Sequence, residues 1–265
     1  MIPLRHIPVA SAAMTMPSPT PASLRRPGRD AIVIAHRGAS ADVPENTLPA
    51  FDAAWRDGAR WVEADTQPTA DGVAVILHDD DVDRTTTGSG PVGAHTAAEL
   101  ARLQIRGLPG ARVPALADLL AMVRPDRAVL LEIKGVHSAA HLEHILAACR
   151  ASGHDERVFL QSFEIPVLQR LGVLAPARPL GLLVERLDPD PVDRCRALGV
   201  VAYNPEYPEV IDNPGVVAEL RAAGIAVAVW TSDDPAEWAA LTTAGVDAII
   251  TNTPAELLAW QRRRT

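Results

Sequence analysis

At 265 residues with 48% apolar composition, the chain can bury one substantial core, and a single folded domain is expected. Its net charge of −8 argues against nucleic acid or an anionic membrane surface as the main partner, because either needs a basic patch that releases counterions. Two cysteines, Cys149 and Cys195, offer neither a disulfide framework nor a metal-type spacing, so both read as ordinary helix residues of a reduced, cytoplasmic compartment.

Residues 1–28 carry Pro3, Pro8, Pro17, Pro19, Pro21 and Pro27 among small polar residues, the composition of a disordered arm outside the core. The stretch 7–16 is too short and too interrupted, by Ser11 and Thr15, for a signal peptide. No run reaches the ~18 apolar residues of a membrane span, so no stable membrane insertion is expected. The folded domain is read as 29–265.

Ile32, Val33 and Ile34 form an apolar β-branched run that stops at His36-Arg37-Gly38. This reads as a strand buried on both faces that delivers an acid/base group and a cation to its carboxyl end. A helix over Leu48–Arg56 follows, with Asn46 or Thr47 as its cap, Leu48, Phe51, Ala54 and Trp55 at helical spacing, and Gly58 closing it. Residues 62–66 read as the next strand, where Glu63 and Asp65, two apart, point to one face. Thr69-Ala70-Asp71-Gly72 then has the form of a hairpin turn. Folding back about residues 70–72 would bring His78 opposite Glu63 or Ala64. In the aspartate run after it, Asp79 is read as an orienter of His78, and Asp80 and Asp81 as solvated surface.

The strand over 129–133 ends in Glu132-Ile133-Lys134, and Lys134 is the sole lysine beside 24 arginines. A compact ammonium reaches one phosphate oxygen or another close charge where a planar guanidinium does not fit, so a lysine that persists in an arginine-rich chain points to a constrained site. Three histidines follow, His137, His141 and His144. They are read as ordinary residues of a solvated helix face, because no fourth ligand accompanies them.

Further apolar runs end at Gln161-Ser162, Gly181–Glu185, Tyr203-Asn204, Trp230-Thr231 and Thr251-Asn252. Helices between them are announced by Asp190-Pro191, Asn213-Pro214, Asp234-Pro235 and Thr253-Pro254, a side-chain acceptor followed by proline at the first helical position. Gly172, Gly199, Gly224 and Gly245 are read as closing helices. Eight strand ends make a TIM-type (β/α)8 barrel, with an extra β-hairpin after the second strand, the expected α/β architecture; an open doubly wound sheet is the alternative.

In such a barrel the carboxyl ends of the strands carry the chemistry. Glu63, Asp65 and Glu132 supply three hard oxygen ligands, which suit Ca²⁺ or Mg²⁺ better than zinc. With His36, His78, Arg37 and Lys134 beside them, the pattern predicts metal-assisted phosphoryl chemistry.

The same residues resemble a known family. His36-Arg37-Gly38-Ala39-Ser40 with Pro44-Glu45-Asn46-Thr47, Glu63-x-Asp65, Asp71-Gly72, His78-Asp79, Asp83-Arg84-Thr85-Thr86 with Gly88 and Gly90, Glu132-Ile133-Lys134, Ser162-Phe163, Trp230-Thr231 and Gly245-Val246-Asp247 are similar, in order, to the glycerophosphodiester phosphodiesterases. The resemblance covers about residues 31–260. It implies a barrel hydrolase that cuts glycerophosphodiesters into an alcohol and sn-glycerol 3-phosphate with a divalent ion. By the same motifs, Glu63, Asp65 and Glu132 would be the metal ligands and His36 and His78 the acid/base pair. Arg37 and Lys134 would hold the phosphate, and Glu45 and Asn46 would buttress the first loop. Which histidine gives the proton and which takes it is left open, as are the attacking group, water or the adjacent glycerol hydroxyl, and the oligomeric state.

Three positions depart from the family's pattern, the first being Ala64 in place of the Leu of the common E-L-D, which points away from the site and is a matter of packing. Asp233 stands where Asn often follows W-T-x, and Asn252 stands in Ile-Thr-Asn-Thr-Pro where the family often reads I-T-D-R-P. Both are expected to rim the pocket without touching the metal residues or the histidines, so their effect is expected on headgroup preference. Two other readings compete with hydrolysis. A barrel that binds phospho-headgroups without cleaving them would be favoured had a strand-end histidine or carboxylate been lost. A phospholipid-acting lyase would want exposed aromatic loops, and aromatics are only 4% here.

Overall fold

The computed structural model describes Leu24, residues 30–135 and residues 137–264. The arm expected over residues 1–28 lies outside the described residues except for Leu24, which is buried among the barrel's inward-facing apolar side chains.

Nine strands are present among the described residues: β1 (Ile32–Ala35), β2 (Trp61–Pro68), β3 (Ala74–Ile76), β4 (Ala128–Ile133), β5 (Val158–Ser162), β6 (Leu180–Val184), β7 (Ala202–Pro205), β8 (Ala226–Val229) and β9 (Ala248–Thr251). All but β3 are parallel, and β1 pairs with both β9 and β2, which closes the eight into a barrel. The expected TIM-type barrel is therefore present, and the open sheet is excluded. The extra hairpin is β2–β3, antiparallel, with Thr66 opposite Ile76 and Pro68 opposite Ala74. Continued by two residues, that register sets His78 level with Ala64, one of the two positions expected.

The helices are α1 (Leu48–Arg56), α2 (Ala97–Leu100), α3 (Leu116–Leu120), α4 (Ala139–Ala151), α5 (Ile165–Leu174), α6 (Pro191–Leu198), α7 (Tyr207–Asp212), α8 (Gly215–Ala222), α9 (Pro235–Ala244) and α10 (Pro254–Arg262). Capping follows side-chain chemistry where the acceptor is free. Thr47, not Asn46, caps α1 by accepting from the Ala50 N–H, while Asp190 and Asp234 cap α6 and α9. Asn213 does not cap a helix start: α7 fills residues 207–212, and Asn213 ends it with its side-chain amide donated back to the Glu209 carbonyl. Gly199 and Gly245 close α6 and α9 in the left-handed region, at φ of 67° and 83°. Gly172 instead lies within α5, whose buried face of Val167, Leu168 and Leu171 carries the helix on to Leu174.

Period-2 alternation positions the site. Along β1, Ile32 and Ile34 face the barrel interior while Val33 and Ala35 pack against the helices. Trp61 on β2, Ala128 and Leu130 on β4, Phe159 on β5, and Ala226 and Ala228 on β8 continue the inner layers. Each fully buried large side chain there contributes about 1.5–3 kcal/mol. One step further toward the carboxyl ends, the same inward parity becomes His36, Glu63 with Asp65, Glu132 with Lys134, Gln161 with Phe163, and Trp230. The apolar layers thus support a polar ring at the barrel mouth. Ala64, of opposite parity, is fully buried against the helices, as its pattern predicts.

Candidate active site

Glu63, Asp65 and Glu132 converge so that one carboxylate oxygen from each lies within 4.8 Å of the others, and all three are buried. Two cations answer them. Lys134 Nζ lies 2.7 Å from Glu132 Oε1 and 3.4 Å from Asp65 Oδ1, and Arg37 Nε lies 3.2 Å from Asp65 Oδ2. The compensation is uneven. Burial opposes charge on Asp65, but Arg37 and Lys134 override it and hold this carboxyl below its ordinary range. Burial followed by repulsion from Asp65 pushes Glu132 up to about 7, and burial with Asp65 and Glu132 drives Glu63 well above its usual range. Glu63 Oε1 is buried with no hydrogen-bond partner. An orphan carboxylate oxygen among hard oxygen donors is what a divalent cation would satisfy, so the donor set fits such an ion.

The first loop is built around this cluster. Arg37 and Asn46 both adopt left-handed backbone, φ 56° and 55°, a conformation costly for a side chain as large as arginine. Specific bonds hold it. The Arg37 N–H donates to Glu63 Oε2, the Asn46 N–H donates to the Arg37 carbonyl, and the Asn46 amide donates to Asp65 Oδ2 at 2.8 Å while accepting from the Asp65 N–H. Gly38 is required by approach as well as by φ, since a Cβ there would sit 2.5 Å from the Ala50 carbonyl carbon. Glu45 ties down the Arg37 guanidinium at 2.9 Å. Arg84 then forks onto Glu45 and Asp79, linking the first loop to the loop that carries His78.

His36 and His78 reach the same cavity of about 440 Å³ from opposite elements, β1 and the loop after β3. Each is held through Nδ1. His78 Nδ1 lies 2.8 Å from Asp79 Oδ1, and Asp80 and Asp81 are exposed. His36 Nδ1 lies 2.7 Å from Asn252 Oδ1. Burial, then the neighbouring Arg37 charge, push the His36 imidazole down to about 4.

The contact with Asn252 corrects an expectation. Asn252 touches His36 directly, and its amide donates to Asp233 Oδ2 at 2.7 Å, so these two departures from the family pattern meet each other behind a histidine. Ser40 also donates to Asn252 Oδ1, at 2.8 Å. A second residue escaped the sequence reading. Gln67, buried on β2, points its amide at the carbonyls of Leu77, His78 and Asp79 at 3.1, 2.9 and 2.6 Å. The signal available was its place two residues beyond Asp65 in a strand facing a hairpin.

The three histidines after Lys134 do not form a centre. His137 is buried rather than solvated, with Nε2 2.7 Å from the Lys134 carbonyl and its ring edge against His141, whereas His144 is exposed. Among the described residues only Glu63, Asp65 and Glu132 gather as ligands. Beside them, Phe163 and Trp230 meet edge to face at 5.4 Å and form an apolar wall of the cavity.

The sequence profile of the glycerophosphoryl diester phosphodiesterase family matches residues 36–256, from His36 through the last barrel strand into α10. The chain belongs to that family. It is thereby a phosphoric diester hydrolase, as the paired histidines and carboxylates at the barrel mouth suggest. A glycerophosphodiester phosphodiesterase of Caldanaerobacter subterraneus subsp. tengcongensis is 34% identical over 235 residues, covering 86% of this chain and 96% of that protein. Among solved structures, a glycerophosphodiester phosphodiesterase from Agrobacterium tumefaciens is 30% identical with a TM-score of 0.76, covering 86% of this chain and 99% of its own. An Oleispira antarctica phosphodiesterase in complex with the product sn-glycerol-3-phosphate is 26% identical with a TM-score of 0.77, covering 86% and 95%. No helix among the described residues is long and apolar enough to cross a membrane.

Proposed function

We propose that this chain hydrolyses small-molecule glycerophosphodiesters to an alcohol and sn-glycerol 3-phosphate, with a divalent ion, Ca²⁺ or Mg²⁺, held by Glu63, Asp65 and Glu132. One observation carries the reading: three buried carboxylates converge, one with an orphan oxygen, and two of them, Glu63 and Glu132, line a cavity together with two histidines that are each anchored through Nδ1. The chain's likeness to a phosphodiesterase in complex with sn-glycerol-3-phosphate supports the product.

When bound, the ion supplies Lewis-acid neutralisation of phosphoryl charge. The chain's own residues do the rest. Arg37 and Lys134 place positive charge at the cavity wall, where a phosphodiester anion would otherwise meet only carboxylates. One histidine takes the proton of the attacking hydroxyl, and the other delivers a proton to the alcohol oxygen as its bond to phosphorus breaks. Phe163 and Trp230 give the carbon skeleton of the substrate an apolar surface. The free, buried thiols of Cys149 and Cys195 agree with work in a reduced, cytoplasmic compartment.

The test is a panel of glycerophosphodiesters, with and without chelator, assayed for glycerol 3-phosphate. Release of glycerol 3-phosphate that stops on chelation and returns with Ca²⁺ or Mg²⁺ is expected. No release from any member of the panel would overturn the reading, and turnover unaffected by chelation would remove the ion from it.

A further inference from the structure

Behind His36, on the side away from the cavity, lies a polar network that hydrolysis alone does not explain. Asp233 accepts three hydrogen bonds at 2.7 Å: from the Thr251 hydroxyl and the Asn252 N–H on Oδ1, and from the Asn252 side-chain amide on Oδ2. Asn252 Oδ1 accepts from Ser40 Oγ at 2.8 Å and faces His36 Nδ1 at 2.7 Å.

The direction of every bond in this chain is decided by one fact: a carboxylate only accepts. Asn252 must therefore turn its NH₂ to Asp233. The flipped amide would set its oxygen against a carboxylate oxygen and its NH₂ against His36, losing a charge-assisted bond and gaining a repulsion. With the amide so fixed, its oxygen faces His36, and an amide oxygen cannot donate. The proton between His36 Nδ1 and Asn252 Oδ1 must then be carried by the histidine. A neutral imidazole has one N–H, so a proton on Nδ1 leaves Nε2 with a lone pair. Nδ1 is occupied, and Nε2 is the nitrogen left to serve the cavity that His36 lines.

We propose that Asp233 and Asn252 are a positioning pair that locks neutral His36 with its proton on Nδ1 and leaves the Nε2 lone pair to the cavity. Resting on the hydrolytic reading above, this presents one fixed tautomer of His36 to the substrate. Asp233 acts without touching His36, by forbidding the flip of Asn252. Ser40, which also donates to Asn252 Oδ1, favours the same orientation.

The decisive measurement is the protonation of the two ring nitrogens of His36, read from long-range proton–nitrogen NMR correlations in the purified full-length protein. In the unmodified chain the proton is expected on Nδ1. Asp233→Ala should release the Asn252 amide, mix the two tautomers and lower kcat by about tenfold with KM little changed. Asn252→Asp alone sets two carboxylates against each other and should also lose activity. The exchange variant Asp233→Asn/Asn252→Asp restores one acceptor on His36 and one donor behind it, and should regain Nδ1–H and most of the lost kcat. It also keeps the pair testable should Asp233→Ala fail to fold. A proton on Nε2 in the unmodified chain, an Asp233→Ala variant with unchanged tautomer and kcat, or an exchange variant no better than Asn252→Asp would each overturn the proposal. The NMR readout does not depend on turnover, so an inactive protein with the expected tautomer would count against hydrolysis and not against the pair.

Discussion

The side-chain amide of Gln67 holds the backbone of His78, its Nε2 lying 2.9 Å from the His78 carbonyl oxygen. Two further carbonyls, of Leu77 and Asp79, lie at 3.1 and 2.6 Å from the same nitrogen, so two N–H groups serve three acceptors. Gln67 sits on β2 two residues past Asp65, and β2 is paired on both edges within the sheet. A rigid strand therefore fixes the loop that presents the second histidine.

Gln67→Leu, similar in volume but without donors, should lose the clamp and leave carbonyls in search of partners. The expected cost is about 1–3 kcal/mol, a fall in Tm of roughly 2–10 °C for a chain of this size. Turnover should suffer more than binding, because His78 is misplaced while the carboxylates and Arg37 stay put. A kinetic comparison in which KM rises and kcat does not would mean that Gln67 serves the pocket and not the histidine.

For the carboxylate cluster, the orphan Glu63 Oε1 and the raised pKa values of Glu63 and Glu132 mean that a divalent ion bound there, as proposed, would stabilise the fold as well as serve the reaction. A divalent cation at about 100 times its Kd adds ~2.7 kcal/mol to the folded state, roughly 5–10 °C in Tm. Glu63→Gln and Asp65→Asn should abolish turnover and erase that shift. Thermal melts with and without Ca²⁺ or Mg²⁺ provide the check, and an equal shift in both variants would place the ion elsewhere.

The pH dependence of stability carries a signature of His36. Its imidazole is lowered from 6.5 to about 4 in the folded chain, chiefly by burial and then by Arg37. Below about 6.5 the unfolded chain takes a proton there that the folded chain refuses until about 4, so the unfolded form binds more protons and stability falls as the pH drops through that window. The contribution is at most about 3.4 kcal/mol. Urea unfolding between pH 4 and 7 should show a steeper acid loss for the unmodified chain than for His36→Gln. Equal slopes would show that this imidazole titrates alike in both states.

The strands, their ends and the three converging carboxylates were legible in the sequence because they obey local rules. A strand's period of two fixes the parity of Glu63 and Asp65 whatever the rest of the chain does, and an abrupt change from apolar to polar marks where the barrel opens. The hairpin was legible for the same reason, since its turn residues precede a short return strand. What escaped depends on closure. His36 and Asn252 are 216 residues apart, and they meet only because β1 pairs with β9. Asn252 could be placed at a strand end, but the direction of its side chain, toward the histidine and not the pocket rim, follows from Asp233 on a neighbouring loop. Gln67 was hidden differently, as one polar residue in a strand whose partners are backbone carbonyls with no sequence signature. Gly172 misled because glycine ends a helix only where left-handed backbone is used, and the apolar face of α5 runs past it.

The lone lysine gives the sharpest test of how tightly the mouth is packed. Lys134 Nζ bridges Glu132 and Asp65, lies 5.9 Å from the centre of the Phe163 ring, and sits in a side chain only 18% exposed. Burial alone would lower its pKa, but Asp65 and Glu132 override that and raise it, so the ammonium is charged throughout the physiological range. Charge is therefore not what Lys134→Arg changes. The guanidinium is planar, larger and forked, and it would have to enter a space already bounded by two carboxylates and an aromatic ring. A loss of at least about tenfold in kcat/KM, some 1.4 kcal/mol, is expected with folding intact. Steady-state kinetics alongside a thermal melt separate the two effects: near-normal kcat/KM in a folded Lys134→Arg protein would mean that any cation suffices there, and that the compact shape of the ammonium has no part in the reaction.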